Sequence, residues 1–147
     1  MVIVDQMNKK IIGLLLTDGR MTYNDVAVKL RRSSSTVRDR IRRLEDDKVI
    51  LGYYAIVNDE RMGMNADAII LGNLDHETSA NDLKKLTKVE GVREVLQISG
   101  QKRILIRLSA PDNHSLEDIV TRELIPMGLR DVELKVVLDS VSRPPGL

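Results

Sequence analysis

The stretch from Ser33 to Asp47 constrains this chain more than any other. Serines 33–35 open it, Val37, Ile41 and Leu44 recur at i, i+4 and i+7, and between Arg31 and Arg43 six arginines stand against one acid, Asp39. The spacing predicts an amphipathic helix to about Asp47 with a single apolar stripe. Its serine start supplies an oxygen for the first free backbone N–H groups. One stripe cannot bury itself, and the residues before it predict the helices that do so. Asp5 can cap a first helix to about Thr17, with Ile12, Leu15 and Leu16 at helical spacing and Asp18-Gly19 as its stop. Gly13 inside it costs about 1 kcal/mol relative to Ala. Thr22 and Asp25 resemble a capping box for a second, short helix carrying Val26, Ala27 and Leu30. Three helices, the last two joined by a tight turn, read as a helix-turn-helix unit.

Composition closes off several other classes. Of 147 residues 42% are hydrophobic and 31% charged, a globular mix, and no cysteine is available for a disulfide or a thiolate metal site. No apolar run reaches the roughly 18 residues of a membrane span. Charges interrupt the apolar N-terminal stretch and no cleavage site follows, so it does not read as a signal peptide, and a soluble cytoplasmic protein is expected. Phe and Trp are absent and Tyr occurs three times, which leaves no stacking platform for single-stranded nucleic acid. The six scattered Met read as gap fillers. The net charge of +1 divides into +2 over residues 1–60 (11 basic, 9 acidic) and −1 over 61–147 (12 basic, 13 acidic). The basic character is local, at residues 31–43, and suits a polyanion met at one place.

From Val49 the pattern changes. Residues 49–58, VILGYYAIVN, are rich in β-formers and end in Asn58-Asp59, predicting a linking strand. Beyond Gly63 the order is strand (68–74), helix (80–89), strand (92–98), strand (104–108), helix (115–125), strand (132–138). This βαββαβ order is the ferredoxin-like arrangement, and the chain as a whole is α+β. Gly91-Val92-Arg93-Glu94-Val95 is echoed by Gly128-Leu129-Arg130-Asp131-Val132, as two pseudo-symmetric halves would require. Two helices cover one face of such a sheet. The other is mixed, with Leu105, Val137 and Val95 expected to be exposed in a monomer, and self-association is the expected cover. The expected domains are a helix-turn-helix unit at 1–50, a linker strand at 51–65 and a regulatory and oligomerisation domain at 66–147.

On the third helix Ser35, Arg38, Asp39, Arg42 and Arg43 face away from the stripe, and Thr36 and Arg40 lie on its flanks. Guanidinium groups fork onto phosphate oxygens and guanine edges, and a major groove about 12 Å wide admits such a helix. A merely solvated charged face is the plain alternative, weakened by the capped turn and helix that precede it.

These residues carry a resemblance. Asp5-x-x-Asn8-x-x-Ile11-Ile12-x-x-Leu15, Asp18-Gly19-Arg20-Met21-Thr22-Tyr23, Ser33-x-x-Thr36-Val37-x-x-Arg40-x-x-x-Leu44-Glu45, Val49-Ile50-x-Gly52-Tyr53-x-Ala55 and Met62-Gly63 resemble the Lrp/AsnC, or feast/famine, transcription regulators. The resemblance implies a winged helix-turn-helix, a RAM regulatory domain, and homodimers that assemble into octamers as tetramers of dimers. It implies that Ser33 is the cap and that Ser35, Thr36, Arg38, Arg40, Arg42 and Arg43 belong to the reading helix; with Ser34 and Lys48 beside them, these are the expected DNA-binding residues. Double-stranded DNA, a second copy of the chain and a small-molecule effector are the implied partners. The implied function is regulation of transcription at pseudo-palindromic sites.

The chain also departs from that pattern. Asn8 stands for a usual Asp, Arg31-Arg32 for a usual Gly-Leu in which the Leu is buried, and Lys48 for a Gly, adding a cation at the DNA-facing edge. The family's Gly-x-x-Asp reads Gly100-Gln101-Lys102-Arg103, which inverts the charge beside the effector pocket. These four are the effector-site candidates, and a weak response to neutral amino acids is expected, with acids or ammonium-free metabolites favoured.

Other chemistry is thin. His76 and His114 fall in expected loops and read as solvated turn residues; no metal-ligand spacing, glycine-rich phosphate loop or nucleophile motif is present. No cofactor, metal or catalytic residue is expected. A sirohaem-decarboxylase-like enzyme, which shares this two-domain plan by resemblance, is disfavoured by the isolated histidines. An architectural protein coating DNA without an effector is the second alternative. Arg143-Pro144-Pro145-Gly146 reads as a frayed tail.

Overall fold

The computed structural model describes residues 4–139, so the 143–146 tail lies outside the described residues. The chain forms two compact units that divide after Ile56, within the expected linker.

In the first unit α1 (Gln6–Thr17), α2 (Tyr23–Leu30) and α3 (Ser34–Asp46) each begin at a side-chain cap. Asp5 accepts the Asn8 N–H at 2.7 Å, and Ser33 accepts that of Thr36 at 3.2 Å. The Thr22–Asp25 box is complete, with the Thr22 N–H donating to Asp25 at 3.0 Å and the Asp25 N–H to Thr22 at 3.1 Å. Such caps hold backbone donors that a helix start leaves unpaired. The core is Ile11, Val26, Ala27, Val37, Ile41 and Leu44. On α1 the buried apolar residue is Ile11, while Leu16, expected in the stripe, is 51% exposed. Neighbouring positions on a helix lie 100° apart, so five aliphatic residues within the six positions 11–16 leave some members outside whatever arc is covered.

Two turns in this unit use the left-handed region without glycine. Arg31 ends α2 at φ 52°, and Lys48 follows α3 at φ 57°. At the second, the Val49 and Ile50 N–H groups both donate to the Leu44 carbonyl at 2.9 Å, closing the helix end. The linker strand expected at 49–58 does not form: residues 51–58 have no ladder hydrogen bonds. A strand exists only against a partner strand, and among the described residues none pairs with this segment.

In the second unit β1 (Ala66–Leu74), α4 (Ala80–Leu86), β2 (Val92–Gln97), β3 (Ile104–Ala110), α5 (Asn113–Ile119) and β4 (Leu129–Val136) follow the expected order. A π-helical turn, Val120–Leu124, extends α5. The sheet is antiparallel in the order β2-β3-β1-β4. The echoed segments open its two edge strands. Their glycines are required: Gly91 at φ 82° and Gly128 at φ 101° are left-handed, and a Cβ would lie 2.3 Å from the Ser109 carbonyl or 2.7 Å from the Asp75 carboxylate.

Alternation sorts the sheet. Ala68, Ile70, Ile104, Ile106 and Leu108 are buried under α4 and α5 with Leu86, Leu116 and Leu124. Ile69, Leu71, Leu105 and Val137 are half-buried on the other face, beside Asp67, Arg107, Glu133 and Lys135. Val95 does not join them. A register shift between Val92 and Glu94 puts Val95 opposite Ile106, on the core side, and turns Leu96 to the open face, where it is 42% exposed. An extra residue in an edge strand changes which side chain faces where.

Candidate nucleic-acid interface

The stripe Val37, Ile41 and Leu44 is sealed in the head core, so the rest of α3 is turned outward. Ser34, Ser35, Thr36, Arg38, Asp39, Arg42 and Arg43 are all exposed. At the helix start the Ser33 hydroxyl lies 2.7 Å from that of Thr36 and 3.2 Å from that of Ser35. The result is a cluster of hydroxyls at a helix N-terminus, where backbone N–H groups and the helix dipole favour an anion. Along the outward face Arg38 has Asp39 as a loose partner at 3.6 Å. Lys48 is exposed just beyond the far end.

Arg40 is placed otherwise. Its Nη1 donates to Asp5 Oδ2 at 2.6 Å and to Asn8 Oδ1 at 3.0 Å, tying α3 to the first turn of α1. The Arg40 guanidinium, followed by the Asn8 N–H, holds the Asp5 carboxyl below the usual carboxylate range. Asn8 is buried there. Of the expected reading residues, Arg40 alone has its fork occupied by its own fold. At Arg31-Arg32 both residues are exposed, and Leu30 is the one that packs on the core, so the substitution buries no charge.

The comparisons with known proteins bear on this surface. Residues 4–50 match a family model described as winged helix-turn-helix DNA-binding, and residues 68–147 match the Lrp/AsnC ligand binding domain. The chain belongs to the Lrp/AsnC family. It is 30% identical over 121 residues to the HTH-type transcriptional regulator LrpA of Pyrococcus horikoshii, covering 82% of this chain and 86% of that one. To the leucine-responsive regulatory protein of Rhizobium meliloti it is 31% identical over 124 residues, covering 82% and 80%. Its fold matches that of a feast or famine regulatory protein from M. tuberculosis complexed with L-methionine at TM-score 0.88, with 23% identity and 96% of each chain covered. This Lrp/AsnC chain is therefore a DNA-binding transcription regulator with a ligand-binding domain.

In that second domain the four effector candidates separate. Gln101 and Arg103 line a polar cavity of about 380 Å³ with Asn73, His76, Glu77 and Gln97; Gly100 and Lys102 do not line it. Lys102 donates to the Asp131 carbonyl and lies 3.9 Å from Glu133. The Arg103 backbone N–H donates to Asn73 Oδ1 at 3.0 Å, and its guanidinium has no ion pair among the described residues. His76 sits between two acids, its Nδ1 2.7 Å from Asp75 and its Nε2 3.3 Å from Asp82. Hydrogen bonds to Asp75 and then Asp82 raise its pKa above the ordinary histidine value. Ser79 hydrogen bonds hold Asp82 down to about 2. Sequence reasoning missed this cluster and the place of Glu77 on the cavity wall. The cavity wall is set by the β1–α4 loop lying beside the β2–β3 loop, contacts without a local pattern, whereas the histidine's two acids stand only one and six residues from it in the sequence. No helix among the described residues is long and apolar enough to cross a membrane.

Proposed function

We propose that this regulator binds pseudo-palindromic DNA as a dimer, in the cytoplasm and without enzymatic activity, reading bases with Arg38 and Arg42 and phosphates with Ser33, Ser34, Ser35, Thr36, Arg43 and Lys48. The observation that carries this is the α3 surface: a sealed apolar stripe beneath an exposed run of hydroxyls and arginines. Arg40 acts in the head's architecture and contributes to binding by holding α1 against α3. The open sheet face with Ile69, Leu71, Leu105, Leu96 and Val137 supports self-association. So do the linker residues Leu51, Tyr54 and Ile56, which are 87%, 79% and 70% exposed in a single copy. Two heads on a two-fold axis would address half-sites about 10–10.5 bp apart or a multiple of that.

The effector reading is a small carboxylate held by Arg103, with the Gln97 and Gln101 amides beside it. An ammonium would have to sit by Glu77, because position 103 repels it. The solved relative bound to L-methionine supports a ligand in this domain, and the inverted charge here favours an acid without an ammonium. Selection of bound sequences from a random duplex pool, with sedimentation of the free protein at micromolar concentration, tests the main reading. A two-fold symmetric motif and a dimer or larger species are expected; no enriched motif, or a monomer, would overturn it.

A further inference from the structure

We infer that a basic hollow beside the reading helix, outside its outward face, is a second site for the phosphate backbone of duplex DNA; the inference rests on the DNA-binding reading of the head. The hollow, of about 330 Å³, brings together Lys10 from α1, Lys29 from the end of α2, and Arg31 and Arg32 from the turn into α3. Met7 and Leu30, which pack on the head core, form its apolar floor. No carboxylate lines it, and no ion pair among the described residues engages any of the four cations. The acids nearest in sequence are committed elsewhere: Asp5 to Arg40, and Asp25 to the Thr22 cap. Lys29 lies one helical turn beyond Asp25 and feels its charge without pairing with it.

Four like charges gathered without a counter-ion are costly unless an anion visits them. Arg31 adds a second sign. It holds φ 52°, the conformation that favours glycine, so a charge occupies a position where backbone comfort asks for none. The occupant follows from place and number. Arg32 directly precedes Ser33, the cap of the reading helix, so the hollow borders the end of α3 where the Ser33, Ser35 and Thr36 hydroxyls cluster. Duplex DNA carries a negative charge about every 1.7 Å of axis, so a protein engaging a groove through α3 meets further phosphates beside it. A compact acidic metabolite would satisfy one or two of these cations; a continuous phosphate backbone satisfies all four. Such contacts carry no sequence information and set register and salt dependence.

The test uses the full chain, the selected duplex and a scrambled duplex, titrated from 50 to 200 mM salt. The double variants are Arg31→Gly with Arg32→Gln, and Lys10→Gln with Lys29→Gln; glycine at 31 suits the turn. Each lost phosphate contact lowers the slope of log K against log salt by about 0.9, so each double variant should lower it by about 1.8. Across that fourfold salt range the variant's affinity should then fall roughly tenfold less than the wild type's. Binding to both duplexes should weaken by one common factor, leaving their ratio unchanged. Arg31→Lys with Arg32→Lys keeps the charge and should keep the slope, which separates lost charge from a damaged turn. An unchanged slope in both double variants, or a loss confined to the selected duplex, overturns the inference. So does a loss of binding to anionic phospholipid vesicles or RNA with duplex binding intact. A wild type that binds no duplex at any salt overturns the reading of the head instead.

Discussion

Arg38 and Arg42 provide the sharpest test of how α3 reads DNA, because Arg40 between them is an internal control. Four residues of helix advance about 6 Å, so Arg38 and Arg42 stand on one face roughly two base steps apart. Both are exposed, and among the described residues neither has a partner closer than the 3.6 Å Arg38–Asp39 contact. A bidentate guanidinium–base contact discriminates by about 1–3 kcal/mol. Arg38→Ala and Arg42→Ala should each reduce affinity for the selected duplex by roughly 5- to 150-fold, with much less effect on a scrambled one. Arg40 must first leave Asp5 at 2.6 Å and Asn8 at 3.0 Å before it can reach a base. Arg40→Ala should therefore leave the ratio of selected to scrambled affinity near wild type and lower the melting temperature of the head. Anisotropy titrations on both duplexes at one salt concentration, with circular dichroism melts of each variant, give all the numbers. An Arg38→Ala/Arg42→Ala double variant with the wild-type ratio would refute the assignment. So would a folded Arg40→Ala variant whose ratio collapses as that of Arg42→Ala should.

Four further outcomes are expected. Lys48→Gly should relieve a left-handed side chain and stabilise the head by about 1 kcal/mol in urea unfolding, while weakening binding to all duplexes and lowering the salt slope by about one unit. Leu44→Ala removes a side chain with 0% exposure and should cost about 3–5 kcal/mol of head stability, read as a lower denaturant midpoint. His76 has a raised folded-state pKa, so its contribution is complete below about 6.5 and lost as pH rises through the raised value. An NMR titration of its ring should give a midpoint above 6.5, and His76→Gln should flatten the fall of melting temperature with rising pH over that window. In thermal-shift measurements a 2-oxo acid should stabilise the protein more than its matching neutral amino acid, and Arg103→Ala should abolish the effect; equal stabilisation by leucine or methionine would count against the carboxylate reading.

Local chemistry made much of this protein legible. Caps at Asp5, Thr22 and Ser33, the stripe Val37, Ile41 and Leu44, and the βαββαβ order all follow from interactions within a few residues, which sequence spacing records directly. The run of arginines likewise announced a polyanion surface before any fold was known. What the tertiary structure decided is how distant groups compete for one another. It sent Arg40 back to Asp5 and Asn8, 35 and 32 residues away, and left Arg38, with only a loose contact to Asp39, and Arg42 exposed on the same helix. A bulge in an edge strand turned Val95 inward and Leu96 outward. The expected linker strand has no neighbour to bond with among the described residues, which no composition could foretell. The gathering of Lys10, Lys29, Arg31 and Arg32 around one hollow, and of Glu77 and Arg103 around another, depends on the relative placement of separate helices and loops. Propensity and periodicity act over a few residues, whereas a guanidinium takes whichever acceptor the folded chain brings within about 3 Å.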